Sequence, residues 1–320
     1  MKVLVTGSSG HLGEALVRTL KQMHTEVVGA DILPSAFTTQ VGSIADRSFV
    51  QSCMAGVEKV FHTATLHKPH VATHDPQQFV DCNITGTLNL LRESAAAKVK
   101  AFIFTSTTST FGDALIPPTG SPAAWITEDV QPVPKNIYGA TKTAAEDLCR
   151  LWRRNAGLNV LVLRTSRFFP EADDNPAMRD AYSDSNLKAN EFLYRRVDIE
   201  DVVSAHLLAA DRAADIGFAK YIISASTPFL PEHLNELRQH AAAVVKKLFP
   251  EYEAIYASRG WRMLPGIDRV YVNAKARKEL GWQPKYDFSY ILNLLKSGTE
   301  DLRSPMARLI GAKGYHVTTC

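Results

Sequence analysis

The sequence predicts an α/β fold, a Rossmann-like doubly wound parallel sheet with a smaller C-terminal substrate lobe. Three observations carry this expectation. Short apolar runs alternate with helical stretches through the first half of the chain. A glycine-rich loop joins the first run to the first helix. A Tyr-x-x-x-Lys pair opens a later helix, downstream of an apolar run that ends in hydroxyls. Strand–helix alternation of this kind requires right-handed crossovers and a parallel sheet covered on both faces.

The elements follow in order. Lys2–Thr6 (KVLVT) is a buried-strand run, and residues 11–23 place Leu12, Ala15, Leu16 and Leu20 on one helical face. Glu26–Ala30, Lys59–Thr63, Ala101–Thr105 and Asn159–Arg164 repeat the strand pattern, with helical stretches near 77–97 and 138–155 between them. Residues 170–190 are polar and turn-rich. Arg196–Ala210 offers a strand fragment and a helix, and Lys220–Ser224 another strand. From Pro228 onward the pattern is helical and mixed, and Trp261, Trp282, Tyr286 and Phe288 read as core of the small lobe. Residues 1–165 with about 196–225 therefore read as the cofactor-binding domain, and about 166–195 with 226–320 as the substrate lobe.

Composition narrows the function classes. The 320 residues are 45% hydrophobic and 22% charged, which excludes a disordered chain, a collagen-like repeat and a disulfide miniprotein. The net charge of +3 argues against a nucleic-acid footprint or a membrane-surface protein. Cys53, Cys82, Cys149 and Cys320 form no CxxC pair, which points to a reduced, cytoplasmic setting. No run approaches the ~18 apolar residues of a spanning helix. Val317-Thr318-Thr319-Cys320 puts its cysteine at the wrong place for prenylation.

Thr6-Gly7-Ser8-Ser9-Gly10-His11-Leu12-Gly13 follows the first strand and opens the first helix. One glycine permits the tight turn, the middle one lets backbone N–H groups approach a pyrophosphate, and the third lets helix and strand pack closely. The helix N-terminus adds partial positive charge for the phosphates. The next strand ends in Asp31, 18 residues beyond Gly13. That spacing suits the acidic residue that accepts the adenosine-ribose hydroxyls, about 20 residues on. A carboxylate there repels a 2′-phosphate, so the cofactor is expected to be NAD rather than NADP.

Tyr138-Gly139-Ala140-Thr141-Lys142 starts a helix, and positions four apart share a helix face. A free phenol has a pKa near ~10, and a nearby ammonium favours the phenolate and makes it a more useful base. Upstream, Phe102-Ile103-Phe104-Thr105-Ser106-Thr107 runs into a hydroxyl-rich strand end, where ligands of open α/β sheets bind. A hydroxyl there can hold the substrate oxygen beside Tyr138.

With these residues in place, the chain resembles the extended short-chain dehydrogenases/reductases, in the group called NAD-dependent epimerase/dehydratase, and within it the nucleotide-sugar 4-epimerases. The resemblance also covers Val60–Ala64, Asn83–Leu91, Phe102–Gly112, Val162–Arg164, Asp198–Val202 and Ala276–Pro284. It implies catalytic Thr107, Tyr138 and Lys142, with the tyrosine moving the proton, the threonine bonding the reacting oxygen and the lysine also holding the nicotinamide ribose. It implies a cofactor site of Gly7, Gly10, His11, Leu12, Gly13, Asp31, Ile32, Ala64, Asn83, Thr105, Tyr138 and Lys142. A homodimer is implied by the same resemblance.

The chain also departs from that family. Thr107 is followed by Thr108-Ser109, where the sugar-nucleotide dehydratases carry Asp-Glu, which argues against water elimination. Arg167 stands where the epimerases place a phosphate-contacting asparagine, and Arg195-Arg196 precede Val197-Asp198-Ile199. Guanidinium forks bind phosphate or carboxylate bidentately, so Arg167, Arg195 and Arg196 join Thr107 as substrate-binding candidates and the small-molecule substrate is expected to be anionic. The competing account pairs these arginines with Asp173, Asp174 or Glu200. His67, His70 and His74 are read as a polar loop over the cofactor rather than a metal site, because Pro69 breaks helical spacing and no Cys or Glu joins them.

The expected reaction is hydride transfer from a secondary carbinol of a sugar or nucleotide-sugar to NAD. An intermediate turned and reduced on its other face makes an epimerase. One that leaves makes a dehydrogenase of a sugar or of a non-nucleotide alcohol. Both stand at this point. A cofactor-sensing protein without turnover has no need of Thr107, Tyr138 and Lys142 together.

Overall fold

The computed structural model describes residues 1–299 and 301–314, and Cys320 lies outside the described residues. Nine strands occur among them: β1 (Lys2–Thr6), β2 (Glu26–Asp31), β3 (Gln40–Val41), β4 (Lys59–His62), β5 (Ala101–Thr107), β6 (Ala124–Ile126), β7 (Val160–Thr165), β8 (Phe218–Ile223) and β9 (Arg269–Tyr271). Seven of them form one parallel sheet in the order β3-β2-β1-β4-β5-β7-β8, and β6 pairs with β9 in a separate two-stranded sheet.

The apolar runs form strands because each is buried on both faces. Val3, Val5, Phe61, Ile103, Leu161 and Leu163 pack on one side with the helices His11–Gln22 and Ile199–Ile216. Leu4, Val60, Phe102, Phe104, Val160 and Val162 pack on the other, against Gly86–Ala96 and Ile137–Ala156. Each such side chain contributes roughly 1.5–3 kcal/mol of apolar burial. Chain order reverses between β1 and β4, which opens a crevice at their carboxyl ends. The register puts Thr6 beside His62, and Thr107 beside Thr165, at that same edge.

The helical stretch expected near 77–97 is divided. It runs as Pro76–Phe79, a π-helical turn over Val80–Thr85, and Gly86–Ala96. Asp75 caps the first piece by accepting from Gln77 N–H at 2.8 Å, with Pro76 at the position where its missing N–H matters least. The long helix Ile137–Ala156 begins on Asn136, whose side chain accepts from Gly139 N–H at 3.0 Å, and ends at Gly157 with φ +68°. The strand fragment expected after Arg196 reduces to a single bridge between Arg167 and Arg196.

One expectation about the lobe is corrected. Trp261, Tyr286 and Phe288 do pack together with Leu237, Val244 and Tyr256 in a second core. Trp282 is fully buried in the core of the large sheet instead. Its indole N–H donates to the Asp201 carbonyl at 3.1 Å and the Ser204 hydroxyl at 3.0 Å. Ala276, Leu280 and Ile310 join the same core, so the chain returns to the large domain after building the lobe. Among the described residues no helix is long and apolar enough to cross a membrane. Cys53 and Cys149 are buried free thiols.

Candidate functional site

A cleft of about 1100 Å³ runs along the carboxyl edge of the sheet and into the lobe. Its first wall is the glycine loop. Gly7 has φ +70°, and a Cβ on it would lie 2.7 Å from the Ala64 nitrogen. A Cβ on Gly13 would lie 1.9 Å from the Gly7 carbonyl oxygen, so any side chain there drives helix and loop apart. Gly10 stands at the helix N-cap, where no side chain caps the first turn. The helix thus offers its first N–H groups to an anion.

Asp31 closes the far side of this wall. Its carboxylate accepts from Ser9 N–H at 2.9 Å and Leu33 N–H at 3.0 Å, which fixes it at the cleft. Ile32 and Ala64 line the cleft beside it. A cradle that excludes side chains, an uncapped helix start and a fixed carboxylate at the second strand end fit a dinucleotide with free ribose hydroxyls. His11, Leu12, Gly13 and Thr105 also line the cleft.

Asn83 does not line it. Burial takes it below the wall, where its oxygen accepts from Leu66 N–H and the Thr65 hydroxyl, both at 2.9 Å. Its amide donates to the Leu66 carbonyl and the Thr141 hydroxyl, both at 3.0 Å. Three of these bonds hold the loop after β4 and the fourth ties Asn83 to the Tyr138 helix. The sequence expectation of a cofactor-contacting amide becomes one of an amide that holds the wall.

The end of β5 and the start of the helix Ile137–Ala156 meet at the catalytic candidates. The Tyr138 hydroxyl shares a hydrogen bond with the Thr107 side chain, and the Thr107 oxygen also accepts from Ser109 N–H at 3.1 Å. Both line the cleft. Burial pushes the phenol up to about 12, and the Thr107 bond works the other way. Lys142 lies beneath the cleft floor. Its ammonium donates to the Thr105 carbonyl at 2.6 Å and sits 4.1 Å from the centre of the Phe104 ring. Burial lowers it to about 7, while Cys149 and Glu146 raise it. The expectation that Lys142 lowers the tyrosine pKa is therefore corrected: burial dominates the phenol, and the ammonium is turned to Thr105 and Phe104. The Thr105 hydroxyl meets His206 Nε2 at 2.8 Å, and His206 Nδ1 meets the Val202 carbonyl at 2.8 Å. Since Nδ1–H must donate to that carbonyl, the Thr105 hydroxyl donates to Nε2.

Sequence reasoning missed Glu146. It lies one turn beyond Lys142 on the same helix face and is fully buried. It accepts from Arg164 at 2.7 and 3.0 Å, Lys220 at 2.6 Å and the Ser106 hydroxyl at 2.6 Å. The signal was Arg164, a charged residue inside an otherwise apolar strand, which needs a buried carboxylate.

Arg167 and Arg195 line the main cleft, and each is already held by a carboxylate. Arg167 pairs with Asp173 at 2.9 Å, and Arg195 pairs with Asp173 at 3.1 Å and Glu191 at 2.6 Å. Arg196 pairs with Glu191 at 2.8 Å and faces a second cavity of about 450 Å³, not the main cleft. Two buried carboxylates thus meet three guanidinium groups: Asp173, one of the expected partners, takes Arg167 and Arg195, and Glu191, which the sequence reading did not name, takes Arg195 and Arg196. The same polar segment places Phe169 between His11 and His67, each 5.3 Å away centre to centre. His67, His70 and His74 lie in a row, the first pair edge to face at 4.6 Å between centres and the second tilted at 4.7 Å.

Residues 3–223 match the family model described as the NAD dependent epimerase/dehydratase family. A UDP-glucose 4-epimerase of Rhizobium meliloti is 26% identical over 90% of this chain and 94% of its own. A 3-beta-hydroxysteroid dehydrogenase of Mycolicibacterium neoaurum is 24% identical over 89% and 87%. Among solved structures, an Agrobacterium tumefaciens short-chain dehydrogenase/reductase superfamily protein with bound NAD superposes with a TM-score of 0.67. It is 22% identical over 93% of this chain and 96% of that one.

Proposed function

The chain belongs to the NAD-dependent epimerase/dehydratase family, and on that premise we propose that it moves a hydride between NAD and a secondary alcohol carbon of a sugar or nucleotide-sugar, as an epimerase does. The observation that carries this reading is the Tyr138–Thr107 hydroxyl pair, set in one cleft with the glycine loop and Asp31.

NAD supplies the hydride acceptor when bound. Gly7, Gly10 and Gly13 would leave room for its diphosphate, and Asp31, fixed by Ser9 N–H, would hold its adenosine ribose. Thr107 orients the carbinol oxygen. Tyr138 takes the hydroxyl proton as the C–H bond breaks, which leaves a carbonyl carbon. Lys142 lies below the pair and, bonded to the Thr105 carbonyl and set against the Phe104 ring, holds the strand end that carries Thr107. Return of the hydride to the opposite face of the carbonyl, with Tyr138 giving the proton back, inverts the centre.

Substrate charge is read from the lobe. Arg167 and Arg195 are occupied by Asp173, and Arg269 by its neighbour Asp268 at 2.9 Å. Arg238 lines the same cleft, and among the described residues its side chain donates only to the Pro117 carbonyl, at 3.4 Å. We assign the substrate anion to Arg238 rather than Arg167. A second reading, an NAD-dependent dehydrogenase of a larger apolar alcohol, is favoured by the lining of Leu115, Ile116, Met178, Tyr182 and Leu264. A panel of nucleotide sugars, free sugars and apolar secondary alcohols, incubated with NAD, separates the two. Epimer formation without net NAD reduction supports the epimerase. Stoichiometric reduction on the apolar alcohols alone replaces it with the dehydrogenase.

A further inference from the structure

We propose that residues 311–314, after the helix Pro305–Ile310, complete the cofactor-binding site, and that Lys313 is the residue through which they do so. Lys313 and Gly314 line the same cleft as the glycine loop, although 304 positions separate Lys313 from Ser9. The Lys313 ammonium donates to the Ser9 carbonyl at 2.5 Å and to the Glu14 carboxylate. The backbone N–H groups of Lys313 and Gly314 donate to Glu171 Oε1 at 3.1 and 3.2 Å. That same oxygen lies 3.0 Å from His11 Nε2.

Electrostatics gives this contact its purpose. Glu14 is buried in the first helical turn, one residue past Gly13, where a diphosphate binds. A carboxylate there opposes the phosphates, and Asp31, at the end of β2 and bonded to Ser9 N–H of the loop, adds to the repulsion. Arg18 meets Glu14 from its own helix at 2.7 Å, and Lys313 meets it from the far end of the chain. Lys313 thus adds a second cation to the Arg18–Glu14 pair, which turns the balance beside the loop positive, and it holds the loop carbonyl of Ser9 still before the cofactor arrives. Glu171 holds the segment down. Its carboxyl is drawn to about 2, burial being outweighed by His11 and the backbone donors, so the contact stays charged at all working pH values.

The test is cofactor binding and does not depend on the substrate. Calorimetric titration of the full chain with NAD, and with adenosine, which lacks the diphosphate, compares wild type with Lys313→Ala, Lys313→Arg and Glu171→Gln. A lost charge-assisted contact weakens NAD about tenfold or more in Lys313→Ala. Adenosine affinity should hold, Lys313→Arg should recover most of the loss, and Glu171→Gln should fall between. NAD affinity within about twofold of wild type in Lys313→Ala overturns the proposal. Equal losses for NAD and adenosine overturn it too, because they mark general damage to the fold rather than a diphosphate effect.

Discussion

Replacing Glu146 by Gln keeps the shape of a fully buried side chain and removes its charge. The carboxylate is the partner of Arg164, itself 2% exposed, and of Lys220, 13% exposed. Neither cation has another carboxylate partner among the described residues. A neutral amide also turns a donor toward the guanidinium where an acceptor stood. Breaking a buried ion pair from one side typically costs about 3–5 kcal/mol, because the remaining charge stays desolvated. The exposed pair Lys246–Glu253, 59% and 49% exposed, is the internal control, and Glu253→Gln should cost about 0.5 kcal/mol or less. Urea unfolding of the two variants and wild type, followed by fluorescence and circular dichroism, reads both numbers. Adding Lys220→Gln to Glu146→Gln should recover part of the loss, since it removes one orphaned charge. A loss below about 1 kcal/mol in Glu146→Gln would refute the reading that Arg164 and Lys220 depend on this buried carboxylate. The variant should also act on Lys142. Burial lowers that lysine to about 7 and Glu146 is one of the groups raising it, so removing the charge shifts its titration further down.

Three further outcomes follow from the geometry. Asp31→Ala should erase a preference for NAD over NADP of at least about 1.4 kcal/mol, a factor of ten, and titration of both cofactors against both proteins checks it. Arg238→Ala should lower kcat/KM on an anionic substrate by about ten- to a hundredfold and spare a neutral one, whereas Arg167→Ala should lower both alike because its partner is Asp173. Lys142 has a folded-state pKa near 7 against an unfolded ~10.4, so the unfolded chain binds more protons between those values and stability rises with pH there. The stability of wild type relative to Lys142→Met should therefore climb by a few kcal/mol (order of magnitude) from pH 7 toward 10, and denaturant unfolding at several pH values measures it.

The sheet was legible because a strand buried on both faces writes itself as a continuous apolar run, as Val160–Arg164 does. The glycine loop was legible because Gly7 and Gly13 answer steric demands that no other residue meets. What failed was pairing. Arg167 looks like a free anion fork in the chain, and only the return of residues 170–175 brings Asp173 against it. Asn83 sits at a family position, but the π-helical turn that carries it buries all its polar atoms under the wall. Trp282 follows the lobe in sequence, and the Asp201 carbonyl that receives its N–H belongs to a helix of the large domain. Glu146 needed only the helical period and a buried Arg164 to be found.

The central claim is that Tyr138 accepts the substrate proton as hydride passes to NAD. Tyr138→Phe tests it most directly, because the ring keeps its place and only the hydroxyl bonded to Thr107 is lost. Protein loaded with NAD is mixed with the best substrate of the panel, and the absorbance of the reduced cofactor is followed through a single turnover. The account predicts a rate about 10²–10⁴-fold below wild type with NAD affinity unchanged. A rate close to wild type would place the proton acceptor elsewhere and contradict the account.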